Sequence, residues 1–388
     1  MKAKTKIGGK RICKPERQLT KFMVMADELS SRSLSLTILE AGSMIVLNVL
    51  SLVGNIVVCI SVYRNKRLRT TTNLYIIALA VSDLLSAIFV MPLTSGVLVA
   101  GGWPFGENLC RVSGSCAIFV IYVSPVTMGL TAFNRYIRIC KSHQLYRRVF
   151  SQRKSRLLLA AAWTLVAFYL ILMTRLTGLQ EFRFYPDNAV CLNAHFTKLG
   201  SIIHYFFVVG LFFALPLGVT IFSYRNVFKK IREHNMGAAR AFHAQARIPG
   251  INSHEIQISR SLFVVVFAFM LCWIPPWVIN LLTRFRVVAN MPRNIVLLGT
   301  FCLNLSNAIN PFIYAGMNPL FRKEFGRILR CESNNLAQGT SQASNGRPNT
   351  VSSGEQLAET TNNQNEEGCL RLPGRGNDNQ HNEGTKLK

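Results

Sequence analysis

Acidic residues are scarce in this sequence. The chain of 388 residues has 18 Asp and Glu against 44 Lys and Arg, and only 16% of its residues are charged. Soluble domains carry about a quarter of their residues as charged side chains, so this composition argues against an ordinary soluble protein. A net charge of +26 suggests nucleic-acid binding in a soluble chain. Here the cations cluster between apolar stretches, so nucleic acid is not an expected partner.

Long apolar runs are abundant. A helix of about 20 apolar residues is long enough to cross the hydrocarbon core of a bilayer. Seven such runs separated by polar loops favour membrane spans over the alternative, buried helices of a soluble core. The predicted spans cover residues 43–63, 73–99, 109–137, 157–177, 201–224, 261–283 and 294–316.

Lys and Arg concentrate in alternate loops. The loops after spans one, three and five (64–69, 138–156 and 225–260) hold four, seven and seven of them, and the other loops hold none, three and three. Cytoplasmic loops collect Lys and Arg. We therefore expect a multi-pass membrane protein with an extracellular N-terminus and a cytoplasmic C-terminus. Residues 1–22 carry eight Lys and Arg and oppose this pattern; a true start at Met23 or Met25 is one explanation that stays open.

The chain divides into three zones. Residues 1–42 form a polar extracellular segment, and residues 43–330 form one membrane domain. Residues 331–388 form a cytoplasmic tail rich in Asn, Gly, Ser and Gln, whose composition predicts disorder. Just before the tail, "NPLFRKEFGRILRC" predicts a basic amphipathic helix on the inner membrane face. Cys331 at its end is either a palmitoylation site or a free thiol.

Two cysteines fall near the predicted outer surface. Cys110 begins span three, and Cys191 lies in the loop between spans four and five. The outside of a cell is oxidising, so these cysteines are able to form a disulfide. The alternative is two free thiols.

Polar side chains inside the spans are few. Asp83 is the only acid well inside any predicted span, and Asn310 is a strongly polar residue in span seven. With Ser124 and Ser306 they offer oxygen ligands to a small hard cation such as Na⁺; the alternative is a protonated, hydrogen-bonded Asp83. No other cofactor is expected. A transporter or ion channel is the alternative of another class. It requires a continuous polar pathway, and transporters usually consist of two related halves, but the sequence has neither feature.

Several motifs follow one another in a specific order. The sequence has "GN" at 54–55, "LAVSD" ending at Asp83, "NRY" at 134–136, "CWIP" at 272–275 and "NPFIY" at 310–314. In this order they resemble the class A (rhodopsin-like) G-protein-coupled receptors over residues 45–330. The resemblance implies an all-α membrane protein with seven transmembrane helices and an amphipathic helix 8. It also implies a receptor that is not an enzyme, binds an extracellular small molecule and activates a heterotrimeric G protein.

The resemblance assigns an activation switch. Arg135, between Asn134 and Tyr136, corresponds to the arginine that pairs with an acid of helix six at rest, here Glu255. Asn134 replaces the commoner Asp, so we expect a weaker resting contact and raised basal activity. The other residues that the family pattern implies for the switch are Tyr224, Phe269, Trp273, Asn310, Pro311 and Tyr314.

The ligand class follows from what the spans lack. Ala117 stands where amine receptors carry an acid, and Asn304 stands where opsins carry their retinal lysine. Within the family, "NRY", "RYIRIC", "GWPFG" and "FRKEF" are similar to the melatonin-receptor group. Phe212 and Trp277 depart from that group, which usually has His and Asn there, and Pro311 stands where it usually has Ala.

The resemblance implies an aromatic and nearly neutral pocket. Apolar walls with few polar groups suit a small uncharged ligand; a peptide ligand is the alternative within the class. Ser and Thr of the tail imply receptor kinases and arrestin as partners, and the basic inner loops imply contact with the lipid bilayer. The expected pocket residues are Ile121, Tyr122, Phe212, Trp273, Trp277, Asn280 and Asn304.

Overall fold

Helices dominate the described part of the chain. The computed structural model describes residues 5–7, 10–12, 14–176, 180–195, 198–243, 253–284 and 291–330. All of them belong to one compact unit, which extends from Met1 to Ser333. The predicted tail, with Cys331 and the expected phosphorylation sites, lies outside the described residues.

Seven of the described helices are long and apolar enough to cross a membrane. This result confirms the predicted all-α fold, and each predicted span overlaps one of these helices. In chain order the spans are Leu34–Arg64, Thr71–Ala100, Gly106–Cys140, Gln152–Thr174, His204–Met236, Glu255–Thr283 and Arg293–Met317.

Three spans are composite. Span two consists of Thr71–Phe89 and Met91–Ala100, and span four extends Gln152–Ile171 by a π-helical turn at Leu172–Leu176. Span five consists of Lys198–Val208, a π-helical turn Val209–Ala214 and Leu215–His243. The helix of span six runs from Ser253 to Arg284. The further helices are Lys14–Ser30, the short turn Lys66–Leu68, His143–Val149 and Pro319–Leu329.

Hydroxyl side chains fix where several helices begin. Ser33, Thr70, Ser142 and Ser151 each accept a hydrogen bond from the backbone amide three residues later. Such N-caps satisfy amides that have no partner inside the helix. The capped helices are span one, span two, the helix His143–Val149 and span four.

The start of span one differs from the predicted boundary. Its helix begins at Leu34, so residues assigned to the polar segment 1–42 belong to the membrane helix. The first turns of this helix include Glu40, whose side chain is buried and paired with Arg32 and Arg293. The preceding helix Lys14–Ser30 also packs onto the bundle, because Leu29 is buried in a cluster with Met44 and Leu98.

Prolines and glycines set close contacts between spans. A Cβ atom on Gly54 would lie 2.7 Å from Cγ of Pro311, so only glycine allows spans one and seven to approach here. A Cβ atom on Gly129 would lie 3.2 Å from Cα of Pro216, at the contact of spans three and five. The prolines that kink spans five and seven therefore also lie against neighbouring glycines.

The two ends of the bundle differ. At one end an antiparallel hairpin, Gln180–Tyr185 paired with Val190–His195, packs on the start of span three; we call this the hairpin end. The opposite end, where Arg135 lies near the end of span three, is called the Arg135 end. A second small hairpin pairs Thr5–Ile7 with Lys10–Ile12.

Candidate functional site

The predicted disulfide lies at the hairpin end. The Sγ atoms of Cys110 and Cys191 are 2.05 Å apart, and Cys191 is fully buried. Cys191 lies in the second hairpin strand, opposite Phe184. The bond therefore ties the hairpin to the first turns of span three.

Aromatic rings fill the bundle below the hairpin. The ring of Phe212 stacks on Tyr122, with centroids 4.9 Å and planes 5° apart. Phe212 lies in the π-helical turn of span five, a local widening that is frequent at functional sites. Ile121 and Trp277 pack against the same cluster. Four of the seven predicted pocket residues thus come together here.

The other three pocket residues lie apart from that stack. Trp273 stacks on Phe269 at 4.5 Å and donates a hydrogen bond from its indole nitrogen to Oγ of Ser306, 3.1 Å away. Asn304 is buried and donates to the backbone oxygen of Thr300. Asn280 is exposed on span six.

A polar cluster around His204 was missed by the sequence analysis. The hydroxyl of Tyr169 lies 2.6 Å from Nδ1 of His204, and the amide nitrogen of Gln180 lies 2.9 Å from the same atom. Asn193 donates to the side-chain oxygen of Gln180, and the hydroxyl of Tyr122 lies 3.5 Å from Nε2 of His204. The cluster joins spans three, four and five to the hairpin at the edge of the aromatic stack.

Arg135 forms the predicted contact with Glu255. Its Nη1 lies 2.9 Å from Oε2 of Glu255, and its side chain is 1% exposed. Its Nη2 donates to Oγ1 of Thr72 and to Oδ1 of Asn134, 3.3 Å away. A buried guanidinium needs a counter-charge and hydrogen-bond acceptors, and these three residues supply both.

Other predicted switch residues surround this contact. Tyr136 packs edge-on against Phe222 of span five, with centroids 5.2 Å apart. Tyr224 and Tyr314 are buried, and their hydroxyl oxygens have no hydrogen-bond partner among the described residues. Buried hydroxyls of this kind are positions at which water or a rearranged neighbour gains a hydrogen bond.

The predicted cation site is only partly assembled. Asp83 is buried, and its Oδ2 accepts a hydrogen bond of 3.0 Å from the amide of Asn310. Ser124 instead donates to Ser82, and Ser306 donates to the backbone oxygen of Leu303 while it accepts from Trp273. Of the four predicted ligands, hydrogen bonds therefore join only Asp83 and Asn310.

Known proteins resemble this chain over most of its length. Melatonin receptor type 1B-B of Danio rerio is 28% identical over 292 residues, 74% of this chain and 81% of that receptor. Melatonin receptor type 1C of Xenopus laevis is 28% identical over 306 residues, 78% of this chain and 70% of that receptor. Melatonin receptor type 1A of Mus musculus is 27% identical over 284 residues, 72% of this chain and 77% of that receptor.

The family match covers the membrane bundle. Residues 54–314 match the family described as 7 transmembrane receptor (rhodopsin family). That range begins at the glycine of span one and ends at the tyrosine of "NPFIY", so it includes both ends of the bundle. A transporter or ion channel is thereby excluded. The chain belongs to the rhodopsin family of seven-transmembrane, G-protein-coupled receptors: it is a multi-pass plasma-membrane receptor, similar to melatonin receptors and not an enzyme.

Proposed function

We propose that this receptor binds a small uncharged molecule from the extracellular side at its hairpin end. The G protein then engages the Arg135 end. The distribution of Lys and Arg supports this orientation, because the loops at the Arg135 end carry most of them. The N-terminus is then extracellular and the C-terminus cytoplasmic.

The stacked pair of Tyr122 and Phe212 is the observation that carries the ligand class. The two rings offer an apolar surface, and the neighbouring Trp277 extends it. His204 and Tyr169 at its edge supply hydrogen-bonding groups. A flat, uncharged ligand with one or two polar atoms suits such walls.

Melatonin is the first ligand to test, because the relatives are named melatonin receptors. Phe212 and Trp277, which depart from that group, both contribute to the aromatic wall. His204 lies two helical turns from Phe212 and supplies an imidazole at a different height of span five. The alternative ligand is another small neutral compound, one whose polar atom lies level with His204.

Activation proceeds through the contact of Arg135 and Glu255. A ligand shifts the equilibrium only by the difference between its affinities for the two states. Ile121 and Trp277 of the aromatic wall pack against the core cluster that contains Trp273, two residues before Pro275, so the Trp273 ring is placed to respond to a ligand. Release of Glu255 from Arg135 then lets span six move and opens a cleft for the G protein.

Asp83 is the proposed centre of an allosteric Na⁺ site. The carboxylate and the amide oxygen of Asn310 would hold the ion, with the hydroxyls of Ser124 and Ser306 after a change of rotamer. One carboxylate with neutral oxygens suits a monovalent hard cation, which would stabilise the resting arrangement by its charge.

The membrane-facing helix Pro319–Leu329 and the tail complete the proposal. Phe321 packs on Tyr314 with centroids 5.6 Å apart, while Leu329 is exposed at the end of the helix. An exposed leucine beside basic residues suits the lipid surface. We assign Cys331 to lipidation and the tail to receptor kinases and arrestin as expectations from the family.

One experiment separates receptor function from ligand identity. Cells that express the chain or its Arg135→Ala variant at equal surface levels are assayed for cyclic AMP, without ligand and with melatonin. A melatonin response that the variant lacks supports the full proposal. A basal signal that the variant lacks, without any melatonin response, retains the switch and rejects the ligand. Equal signals in both proteins under both conditions would reject the switch.

A further inference from the structure

Glu255 is shared by two arginines of span three. Arg135 binds Oε2, and Arg138 binds Oε1 through both Nε and Nη2, at 3.2 and 3.0 Å. Positions i and i+3 lie on one face of a helix, so both guanidinium groups point at the same carboxylate. Arg138 thus places two charge-assisted hydrogen bonds on one oxygen of the carboxylate, while Arg135 takes the other oxygen.

Arg138 is also held from its other side. Its guanidinium carbon lies 4.8 Å from the centroid of the Tyr146 ring. Tyr146 belongs to the short helix His143–Val149, is buried and stacks with Phe150 at 6.0 Å. An arginine over an aromatic face gains a cation–π interaction without losing its other hydrogen bonds. The short helix therefore supports Arg138 in the orientation that reaches Glu255.

The burial of the two arginines differs. The side chain of Arg135 is 1% exposed and that of Arg138 is 30% exposed. When Glu255 leaves, Arg135 loses its only counter-charge among the described residues. Arg138 keeps both water and the Tyr146 ring. Movement of span six thus breaks two charge contacts at once but leaves only one arginine in a buried, uncompensated state.

We infer that Arg138 is a second arm of the resting lock and that Tyr146 is its positioning residue. The inference rests on the proposed function of the Arg135 contact. Asn134 supplies no charge to hold Arg135, so Glu255 is the acid on which the resting state depends. Arg138 adds a second charge contact between span three and Glu255. Through this contact Glu255 is coupled to the loop after span three. The weaker lock expected from Asn134 is thereby compensated in part.

The test measures nucleotide exchange on a purified heterotrimeric G protein by the full receptor in lipid nanodiscs without ligand. The variants are Glu255→Gln, Arg138→Gln, their combination, Tyr146→Leu and Tyr146→Phe. The matched control is Arg147→Gln, which removes an exposed arginine from the same short helix. Thermal unfolding of each variant reports whether it is folded.

Arg138→Gln is expected to raise basal exchange about three- to fivefold, the size typical of a partly exposed ion pair. Tyr146→Leu should produce a smaller rise, while Tyr146→Phe, which keeps the ring, and Arg147→Gln should match the wild type. The combined variant should equal Glu255→Gln alone, because Arg138 acts through that carboxylate.

Two results would overturn the inference about Arg138 and leave the proposed function of the Arg135 contact intact. If Glu255→Gln raises exchange but Arg138→Gln leaves it unchanged or lowers it, Arg138 is instead a surface cation that meets the G protein or anionic lipid. If the two substitutions add in full, Arg138 acts independently of Glu255. If Glu255→Gln itself changes nothing, the lock of the proposed function is rejected together with its second arm.

Discussion

Each end of the bundle holds a glutamate that two arginines share, and the two clusters differ in burial. At the hairpin end, Glu40 binds Arg293 through two hydrogen bonds of 3.0 and 2.7 Å and also pairs with Arg32. The side chains of this Glu40 cluster are 4 to 10% exposed. In the Glu255 cluster, the side chains of Glu255 and Arg138 are 21% and 30% exposed.

The surroundings of the clusters explain their different roles. Arg32 also donates to the backbone oxygens of Leu29 and Leu98, at 2.7 and 2.6 Å. The Glu40 cluster thus joins the N-terminal helix to spans one, two and seven. In the Glu255 cluster the acid itself lies in the first turn of the span six helix, and the two arginines that bind it come from span three. A glutamate shared by two arginines stabilises the fold at the hairpin end, where every partner is held in place. At the Arg135 end the acid lies at the end of a helix, and there the same kind of contact permits a switch.

Glu40→Gln is expected to have the largest effect on stability. Two buried guanidinium groups would lose their counter-charge, which typically costs about 3–5 kcal/mol. The thermal unfolding midpoint of the purified receptor measures this loss. The control is Glu107→Gln, whose pair with Arg111 has side chains 74% and 50% exposed. A loss no greater than that of the control would contradict the fixed character of the Glu40 cluster.

Loss of the disulfide is expected to rank second. Replacing Cys110 and Cys191 together by Ser should lower the free energy of unfolding by about 2–4 kcal/mol, through the greater freedom of the unfolded chain. Cys116→Ser, which changes a free and partly buried thiol, serves as the control in the same unfolding assay. A double variant as stable as this control would show that the Glu40 cluster holds the hairpin end without the covalent bond.

Asn134→Asp should act on the other end of the bundle. A carboxylate beside Nη2 of Arg135 would add an ion pair to the hydrogen bond that the neutral amide oxygen of Asn134 now accepts. We expect basal nucleotide exchange to fall about threefold, with unchanged thermal stability of the hairpin end. Asn134→Ala is the control and should not lower it. A basal signal that stays constant or rises in the Asp variant would refute this expectation.

Ionic strength should have the smallest effect, and this effect should differ between the Glu40 cluster and the Glu255 cluster. Salt screens exposed charges but scarcely reaches buried pairs. When the salt concentration is raised from about 0.05 to 0.3 M, the ratio of basal exchange by the wild type to basal exchange by Glu255→Gln should rise by less than about twofold. The stability difference between wild type and Glu40→Gln should stay constant. An equal salt dependence of both differences would remove the distinction between the two ends.

Much of the fold could be predicted from sequence because apolar length is a local property. Each of the seven runs is long enough to span a bilayer by itself, and no distant contact is needed to recognise it. The start of span one was predicted too late, because its first turns contain Glu40 and the partner that compensates this acid, Arg293, lies on the last span.

The sites were predicted unevenly. Arg135 and Glu255 follow from the resemblance carried by the ordered motifs, whereas the pairing of Cys110 with Cys191 follows from their position near the predicted outer surface. The cluster around His204 did not follow, because its members come from three spans and the hairpin and share no spacing. Arg138 was visible in "NRYIRIC", but only the structure shows that it contacts both Tyr146 and Glu255.

The sequence by itself determined seven membrane helices, a chain depleted of acids inside the membrane and a family whose motifs place a switch near residue 135. The tertiary structure decided which arginines share each of the two glutamates and which of these clusters is sealed. The physical reason is that the free energy of a charge depends on its distance to other charges and on its exposure to water. Both quantities are set when distant segments pack, so Glu40 and Glu255 acquire different roles from the same side chain.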